Sequence, residues 1–181
     1  MENINIIIDT IITYFGNTGP IILFLFASYY LLWKKYTMFY YYQVGFITSA
    51  ILNTILKGIF KCPRPSEDPR EFNLALKNGR RFVFKDGIPH DIFGMPSGHS
   101  QATMFITTFI FLTLKNTKIS LVFLLLSLLI MYQRVKDNHH TFFQVLAGAI
   151  VGVGCGYLFY YFGQQSLRGK IKAKPDDNGP L

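Results

Sequence analysis

Residues Thr141–Leu167 read TFFQVLAGAIVGVGCGYLFYYFGQQSL and contain no Asp, Glu, Lys or Arg. A helix needs roughly 20 apolar residues to cross the hydrocarbon core of a bilayer, so this stretch is long enough to span a membrane. A second stretch, Met38–Phe60, has Lys57 as its only charged residue. These two stretches predict that the protein lies in a membrane.

The composition of the whole chain agrees with this prediction. Half of the 181 residues are hydrophobic and only 15% are charged, whereas soluble domains carry about 25% charged residues. So much apolar surface excludes a disordered chain, and two cysteines exclude a disulfide scaffold. We expect membrane lipids as partners of this chain, and no nucleic acid.

Three further apolar stretches bring the predicted number of membrane spans to about five. Pro20–Trp33 extends back to Asn17, where Asn17-Thr18 before a proline is typical of a helix start. His99–Leu114 and Ile119–Gln133 are separated by Lys115-Asn-Thr-Lys118. A single long helix would place two lysines at mid-membrane, so we expect a tight helical hairpin there.

The first seventeen residues carry a polar stripe. Asn5, Asp9 and Thr13 recur every four residues among isoleucines, which predicts an amphipathic helix in the membrane interface. The alternative is an extension of the first span. The predicted fold is all-α, and its parts are this interfacial helix at 1–17, a transmembrane helical bundle at 18–167 with a lumenal active-site loop at 66–95, and a cytosolic polar tail at 168–181.

Five spans place the connecting segments alternately on two sides of the membrane. One side holds Lys34-Lys35, Lys115–Lys118 and the basic tail from Arg168, and the positive-inside rule predicts that it is cytosolic. The other side would be lumenal or extracellular. It holds all four histidines, namely His90, His99, His139 and His140.

Three basic or histidine-containing motifs lie on that second side. They are Lys57-Gly-Ile-Phe-Lys-Cys-Pro-Arg64-Pro65, Pro96-Ser97-Gly98-His99, and the segment from Arg134 to His140. Each alone has an ordinary explanation, such as a lysine anchor at the interface or a helix-starting turn. In this order and on one face, they resemble the type 2 phosphatidic acid phosphatase superfamily, which includes lipid phosphatases.

Two positions near the third motif differ from the general pattern of that superfamily. Gln133 stands where Ser is usual, and Gln144 stands where Asp is usual. The surrounding segments, Gly94–Gln101 and His140–Gly148, are similar to the dolichyl diphosphate phosphatases, in which the third motif continues as His-Thr-x-x-Gln-Val. We therefore interpret Gln144 as a feature of that subfamily.

The residue types of the motifs suit the cleavage of a phosphate bond. Arg64 and Arg134 can each donate a pair of hydrogen bonds to phosphate oxygens, and Lys57 adds a positive charge. Ser97 and Gly98 lie where a predicted helix begins, and free N–H groups at a helix start bind anions. The sequence has no Walker-type loop and no Cys–His cluster, so no metal or other cofactor is expected.

The resemblance implies roles for the remaining residues. His140 would attack phosphorus and form a phosphohistidine, and His99 would protonate the leaving oxygen and then activate water, without a metal ion. His139 competes for the nucleophile role, but it is one residue too close to Arg134. Gln144 lies one helical turn after His140, so we expect its carbonyl to orient the imidazole without adding negative charge.

The resulting prediction is a phosphatase of dolichyl or another polyprenyl diphosphate in the endoplasmic reticulum membrane, with a lumenal active site, that recycles the carrier lipid of protein glycosylation. One alternative is a broader lipid phosphatase acting on phosphatidic acid, sphingoid phosphate or undecaprenyl diphosphate. Another is a catalytically silent protein that binds lipid phosphates.

Two further features have open interpretations. The basic residues of the 66–95 segment would either attract an anionic headgroup or remain solvated; they include Arg70, Arg80, Arg81 and Lys85. The small residues Gly148, Gly152 and Gly156 predict close helix packing, within the bundle or in a homodimer.

Overall fold

The computed structural model describes residues 2–85 and 87–169, which form six helices and one hairpin. The elements are α1 (Glu2–Lys34), α2 (Tyr36–Phe60), α3 (Pro69–Lys77), β1 (Phe82–Lys85), β2 (Ile88–Asp91), α4 (Gly98–Leu114), α5 (Thr117–Lys136) and α6 (Phe142–Leu167). All of the predicted polar tail beyond Gly169 lies outside the described residues.

The predicted membrane helical bundle is confirmed. Within the described residues, four helices are long and apolar enough to cross a membrane, namely Ile6–Trp33, Tyr36–Phe60, Thr117–Lys136 and Phe142–Leu167. α4 has 17 residues, which is the lower limit for a span, and it contacts all four of the others. The predicted hairpin between α4 and α5 is present, with a turn at Lys115 and Asn116. The protein is therefore a multi-pass membrane protein.

Three glycines bring α6 against the central helix α4. A Cβ atom on any of them would overlap a main-chain oxygen of α4 or of its N-cap residue: Gly148 that of the N-cap Ser97, Gly152 that of Gln101, and Gly156 that of Phe105. The predicted glycine stripe therefore packs inside the bundle, and a homodimer stays a prediction. This close packing also fixes the start of α6 next to the start of α4.

The N-terminal segment differs from the prediction in one respect. α1 continues without a break from Glu2 to Lys34, so Asn17-Thr18 is not a helix start, while the interfacial position of the first seventeen residues stays a prediction. The polar stripe has partners on α5 and just after it. Lys136 Nζ donates to Asp9 Oδ1 at 2.6 Å, and Thr13 Oγ1 donates to Asp137 Oδ2 at 3.2 Å. Two residues of the stripe, Asp9 and Thr13, therefore contact the end of α5, and the Asp9 side chain remains 63% exposed.

The segment predicted as an active-site loop is folded. The Asp68 side chain caps α3 by accepting two main-chain N–H bonds, and Phe72 packs with Ile92 and Phe93 in a small second core. β1 pairs antiparallel with β2. The hairpin brings Asp91, the last residue of β2, back to the end of α2.

Candidate active site

The three motifs meet at one end of the bundle. Lys57 lies in the last turn of α2, His99 in the first turn of α4, Arg134 in the last turn of α5, and His140 just before α6. Successive long helices run in opposite directions, so the end of α2 and the start of α4 lie on the same side. The same holds for α5 and α6. The topology thus gathers the motifs on one face, as the sequence predicts.

Asp91 joins the first motif to the hairpin. Its Oδ2 accepts hydrogen bonds from Lys57 Nζ and Arg81 Nη2, both at 3.0 Å, and its Oδ1 accepts from Arg81 Nε at 3.2 Å. Its main-chain carbonyl accepts from Arg64 Nε at 2.9 Å. Arg81 Nη1 also donates to the carbonyl of Thr54 on α2 at 3.0 Å. Asp91 therefore contacts two residues predicted to bind phosphate, Lys57 through its carboxylate and Arg64 through its main-chain carbonyl.

The charge of Asp91 is stabilised by these contacts. Burial raises the pKa of Asp91, but hydrogen bonds from Arg81 and the positive charge of Lys57 outweigh it and hold the pKa below its ordinary value. The carboxylate is thus ionised at neutral pH and offsets one of the two positive charges beside it. The sequence analysis missed Asp91, because a single acidic residue shortly before the second motif carries no pattern of its own.

His140 is the most deeply buried imidazole of the site, with 2% of its surface exposed. Burial lowers the pKa of His140, and the charges of Arg64, Arg134 and Lys57 lower it further, against a hydrogen bond with Gln144, to about 3. The ring is therefore neutral at neutral pH. A neutral imidazole can act as a nucleophile, which a protonated one cannot. His139, by contrast, is partly exposed.

Gln144 fixes which ring nitrogen of His140 is free. Gln144 Oε1 accepts the N–H of Thr141 at 3.2 Å, and its Nε2 donates to the Pro63 carbonyl at 2.8 Å. These bonds orient the amide so that Oε1 faces Nδ1 of His140, also at 3.2 Å. Nδ1 must then carry the proton, and Nε2 keeps its lone pair.

The bond from Gln144 to Pro63 also gives a physical reason for the amide at this position. An ionised Asp could accept a bond from His140, but it could not donate one to a carbonyl. The amide therefore ties the loop that carries Arg64 to the imidazole of His140, in addition to the expected contact with the ring.

The second motif forms the start of α4. Ser97 is the N-cap residue and is fully buried, and its N–H donates to the Gln144 carbonyl at 2.9 Å. The next N–H groups, beginning with that of Gly98, have no partner within the helix. Asn53 on α2 supports this turn by donating to the Pro96 carbonyl at 3.3 Å. The turn can accept an anion without rearrangement.

Arg134 has an unused hydrogen-bond donor. The residue is only 5% exposed, and its Nη1 donates to Asn17 Oδ1 at 2.8 Å. Its Nε is buried and has no partner among the described residues. A buried donor without an acceptor costs about 1–3 kcal/mol. An anion beside Arg134 would remove that cost.

A cavity of about 250 Å³ lies between α2 and α4, next to the second motif. The residues that line it from α2 are Phe46, Ser49, Ala50, Asn53 and Thr54, and those from α4 are Gly98, Gln101 and Ala102. Gly98 thus belongs both to the predicted phosphate-binding turn and to the wall of the cavity.

The part of the chain that the structure describes contains no cluster of possible metal ligands. Within residues 2–85 and 87–169, no three His, Cys, Asp or Glu residues lie close enough together to hold a metal ion. The predicted mechanism without a metal ion stays a prediction.

Comparisons with known proteins agree with this geometry. The sequence model of the PAP2 superfamily matches residues 38–168. The chain is 30% identical to the dolichyldiphosphatase of Saccharomyces cerevisiae over 128 residues, which are 65% of this chain and 48% of that protein. It is 25% identical to a PA-phosphatase related-family protein of Dictyostelium discoideum over 164 residues, which are 83% of this chain and 59% of that protein.

The chain thus spans about half the length of the curated relatives that it matches. No solved structure is significantly similar to it.

Proposed function

Because this chain belongs to the PAP2 superfamily, we propose that it is a membrane phosphatase that hydrolyses an isoprenoid diphosphate to the monophosphate and inorganic phosphate. One observation carries the proposal: the buried His140, with Gln144 at its Nδ1, lies among three cations, Lys57, Arg64 and Arg134. A neutral nucleophile surrounded by positive charge suits attack on a phosphate group, whose oxygens gain charge in the transition state.

In the first step, Nε2 of His140 attacks the terminal phosphorus. The N–P bond forms as the P–O bond to the lipid monophosphate breaks, and His99 donates a proton to the leaving oxygen. Gln144 Oε1 accepts a hydrogen bond from the Nδ1–H of His140, and this bond stabilises the ring as it becomes positively charged. Arg64, Arg134 and the N–H groups at the start of α4 would bind the equatorial oxygens.

In the second step, His99 accepts a proton from water, and the water oxygen attacks phosphorus. The N–P bond breaks, inorganic phosphate leaves, and both histidines return to their starting protonation states. Lys57 stabilises the charge on phosphate in both steps and needs no proton transfer of its own.

An isoprenoid chain is the proposed apolar part of the substrate. Its first units would lie in the cavity between α2 and α4, since Gly98 joins that cavity to the phosphate-binding turn. The similarity to the Saccharomyces dolichyldiphosphatase supports dolichyl diphosphate as the natural substrate. We further propose that the active site faces the lumen of the endoplasmic reticulum, because the short basic segments lie on the opposite side of the membrane, and that the product returns to protein glycosylation.

The test is a substrate panel with purified protein in detergent. Phosphate release is measured from dolichyl diphosphate, farnesyl diphosphate and phosphatidic acid, and we expect the two isoprenoid diphosphates to be preferred. His140→Ala should lower turnover by about 1000-fold or more, because the nucleophile is lost. His139→Ala is the matched control and should retain most of the activity. Preference for phosphatidic acid, or full activity of His140→Ala, would contradict the proposal.

A broader lipid phosphatase is the second candidate, because the Dictyostelium relative is a PA-phosphatase related-family protein. Equal rates on all three lipids would favour it. A catalytically silent binding protein is the third candidate. It predicts no phosphate release by the wild type, and no acid-labile phosphate on His140 after incubation with a radiolabelled diphosphate.

A further inference from the structure

α1 reaches the active site although it lies outside the region matched by the superfamily. The match covers residues 38–168, whereas α1 is Glu2–Lys34. Asn17, in the middle of α1, contacts two residues of the proposed machinery. Its Oδ1 accepts a hydrogen bond from Arg134 Nη1 at 2.8 Å, and its main-chain carbonyl lies 3.3 Å from His99 Nε2.

We propose that Asn17 is a positioning residue of the phosphate site, which holds Arg134 with its side chain and His99 with its main chain. The inference rests on the proposed function, because it takes these two residues as the phosphate-binding arginine and the general acid. It assigns to α1 a role in the reaction beyond spanning the membrane.

The side chain of Asn17 orients Arg134 without neutralising it. A guanidinium has five N–H donors in a fixed plane, so a bond at Nη1 limits the directions of the others. Nε remains buried and without a partner among the described residues. An amide acceptor carries no net charge, so Asn17 itself does not offset the positive charge of Arg134. A carboxylate at position 17 would orient Arg134 equally well, but it would compete with phosphate.

The main chain of Asn17 selects the tautomer of His99. A carbonyl oxygen only accepts hydrogen bonds, so the contact requires a proton on Nε2 of His99. Nδ1 is then the nitrogen that gains and loses the catalytic proton.

Contacts around Gln133 hold α1 close to α5. A Cβ atom on Gly16 would overlap the buried side chain of Gln133, so α1 can approach α5 closely only at a glycine. Gln133 Nε2 donates to Asp137 Oδ2 at 2.7 Å, and Thr13 Oγ1 donates to the same oxygen at 3.2 Å. Asn17 thus lies on a helix that is fixed against the third motif.

The experiment measures how tightly inorganic phosphate binds to the full-length protein. The readouts are competitive inhibition of farnesyl diphosphate hydrolysis and the rise of the thermal midpoint with phosphate concentration. Asn17→Ala should weaken phosphate binding about fivefold, because a charge-assisted hydrogen bond is worth on the order of 1 kcal/mol at a partly exposed site. Asn17→Asp should weaken it more, since the carboxylate keeps the contact but competes for the charge.

Thr18→Ala is the matched control. The Thr18 hydroxyl donates only to the Tyr14 carbonyl within α1, so this variant should bind phosphate as the wild type does. A loss of binding in Thr18→Ala equal to that in Asn17→Ala would overturn the proposal. Wild-type phosphate binding by Asn17→Asp would also overturn it, because any acceptor would then suffice.

The thermal readout separates this proposal from the proposed function. A wild type that phosphate stabilises but that hydrolyses none of the lipid diphosphates would contradict the enzyme, while the Asn17 variants would still test the positioning of Arg134. A wild type that hydrolyses the lipid diphosphates but that phosphate neither inhibits nor stabilises would contradict the role of Asn17 in phosphate binding and leave the proposed function standing.

Discussion

The hairpin and α1 lie outside the three motifs, yet each holds part of the candidate site, and they do so by different chemistry. On the hairpin side, the Asp91 carboxylate bonds to Lys57 and Arg81, and its carbonyl bonds to Arg64. On the α1 side, the neutral amide of Asn17 bonds to Arg134. The direct acceptor is a charged carboxylate on one side and a neutral amide on the other.

The difference follows from the number of cations on each side. Lys57 and Arg81 donate to the same carboxylate oxygen, so without Asp91 two positive charges would lie together in a partly buried place. A charged acceptor relieves that repulsion and leaves one positive charge for the substrate. Near Asn17, Arg134 needs orientation only, and a charged acceptor would cancel the attraction that phosphate requires.

The largest expected effect comes from removing the charge on the hairpin side. Asp91→Asn leaves Lys57, which is 6% exposed, without its counter-ion. Breaking a buried ion pair costs about 3–5 kcal/mol, and the partial exposure of Arg81 reduces this to about 2–3 kcal/mol. We expect that loss in the free energy of unfolding, measured in detergent, together with at least a tenfold loss of kcat/KM.

Glu71→Gln is the control for this prediction. It removes one negative charge from the same segment at an exposed position, so both quantities should stay near the wild-type values. If the two variants behaved alike, the carboxylate of Asp91 would have no special role in the site.

A smaller effect is expected from filling the contact between α1 and α5. Gly16→Ala places a methyl group against Gln133, which is fully buried, and overpacking of this kind costs about 1–3 kcal/mol. Adding Gln133→Ser makes room for the methyl group. The double variant should therefore recover about 1 kcal/mol of the loss caused by Gly16→Ala, as measured by unfolding in detergent. If the losses of stability in the two single variants simply added up in the double variant, the contact between Gly16 and Gln133 would be contradicted.

The smallest effect is expected from acid, and only on the hairpin side. The pKa of Asp91 is held below its ordinary value, so its contribution to stability is complete above about pH 4 and is lost as the pH falls through the pKa of the folded state. Asn17 does not titrate. Pepsin should therefore cut wild-type protein between residues 78 and 90 faster as the pH falls, whereas Asp91→Asn should be cut readily throughout.

A local readout is needed because His140 changes global stability in the same range. Its native pKa of about 3 lies below the ordinary 6.5, so from about pH 6.5 down to 3 the unfolded chain binds a proton that the folded protein does not. Global stability should fall as the pH falls through that range. Because global unfolding increases cleavage everywhere, the contrast predicts that cleavage of the hairpin rises more steeply than cleavage within α1, and equal increases at the two places would contradict it.

Much of the fold could be read from the sequence because it depends on local properties. A stretch without charged residues, such as Met38–Leu56, is stable only in lipid or in a protein core, and its length matches the thickness of a bilayer. Alternation of spans then places the ends of α2 and α4 on one side. The spacing of Gln144 after His140 likewise predicts a contact within one helical turn, and the contact is present.

The polar stripe of α1 could not be interpreted in the same way. Asp9 and Thr13 lie at the spacing that indicates an amphipathic helix, but a helix shows the same period whether its polar face meets water, headgroups or another helix. Their partners, Lys136 and Asp137, lie far along the chain. The folding of the 66–95 segment was missed for a related reason, since its short elements carry little periodicity.

The sequence by itself determined the membrane bundle, the common face of the motifs and the residue types suited to phosphate chemistry, because these depend on composition, length and spacing. Only the tertiary structure decided what holds the cations of the site. Asp91 meets Lys57 across 34 positions, and Asn17 meets Arg134 across 117. Sequence periodicity gives no information about residues so far apart in the chain. Only the packing of the helices and the hairpin decides whether these atoms come within hydrogen-bond distance.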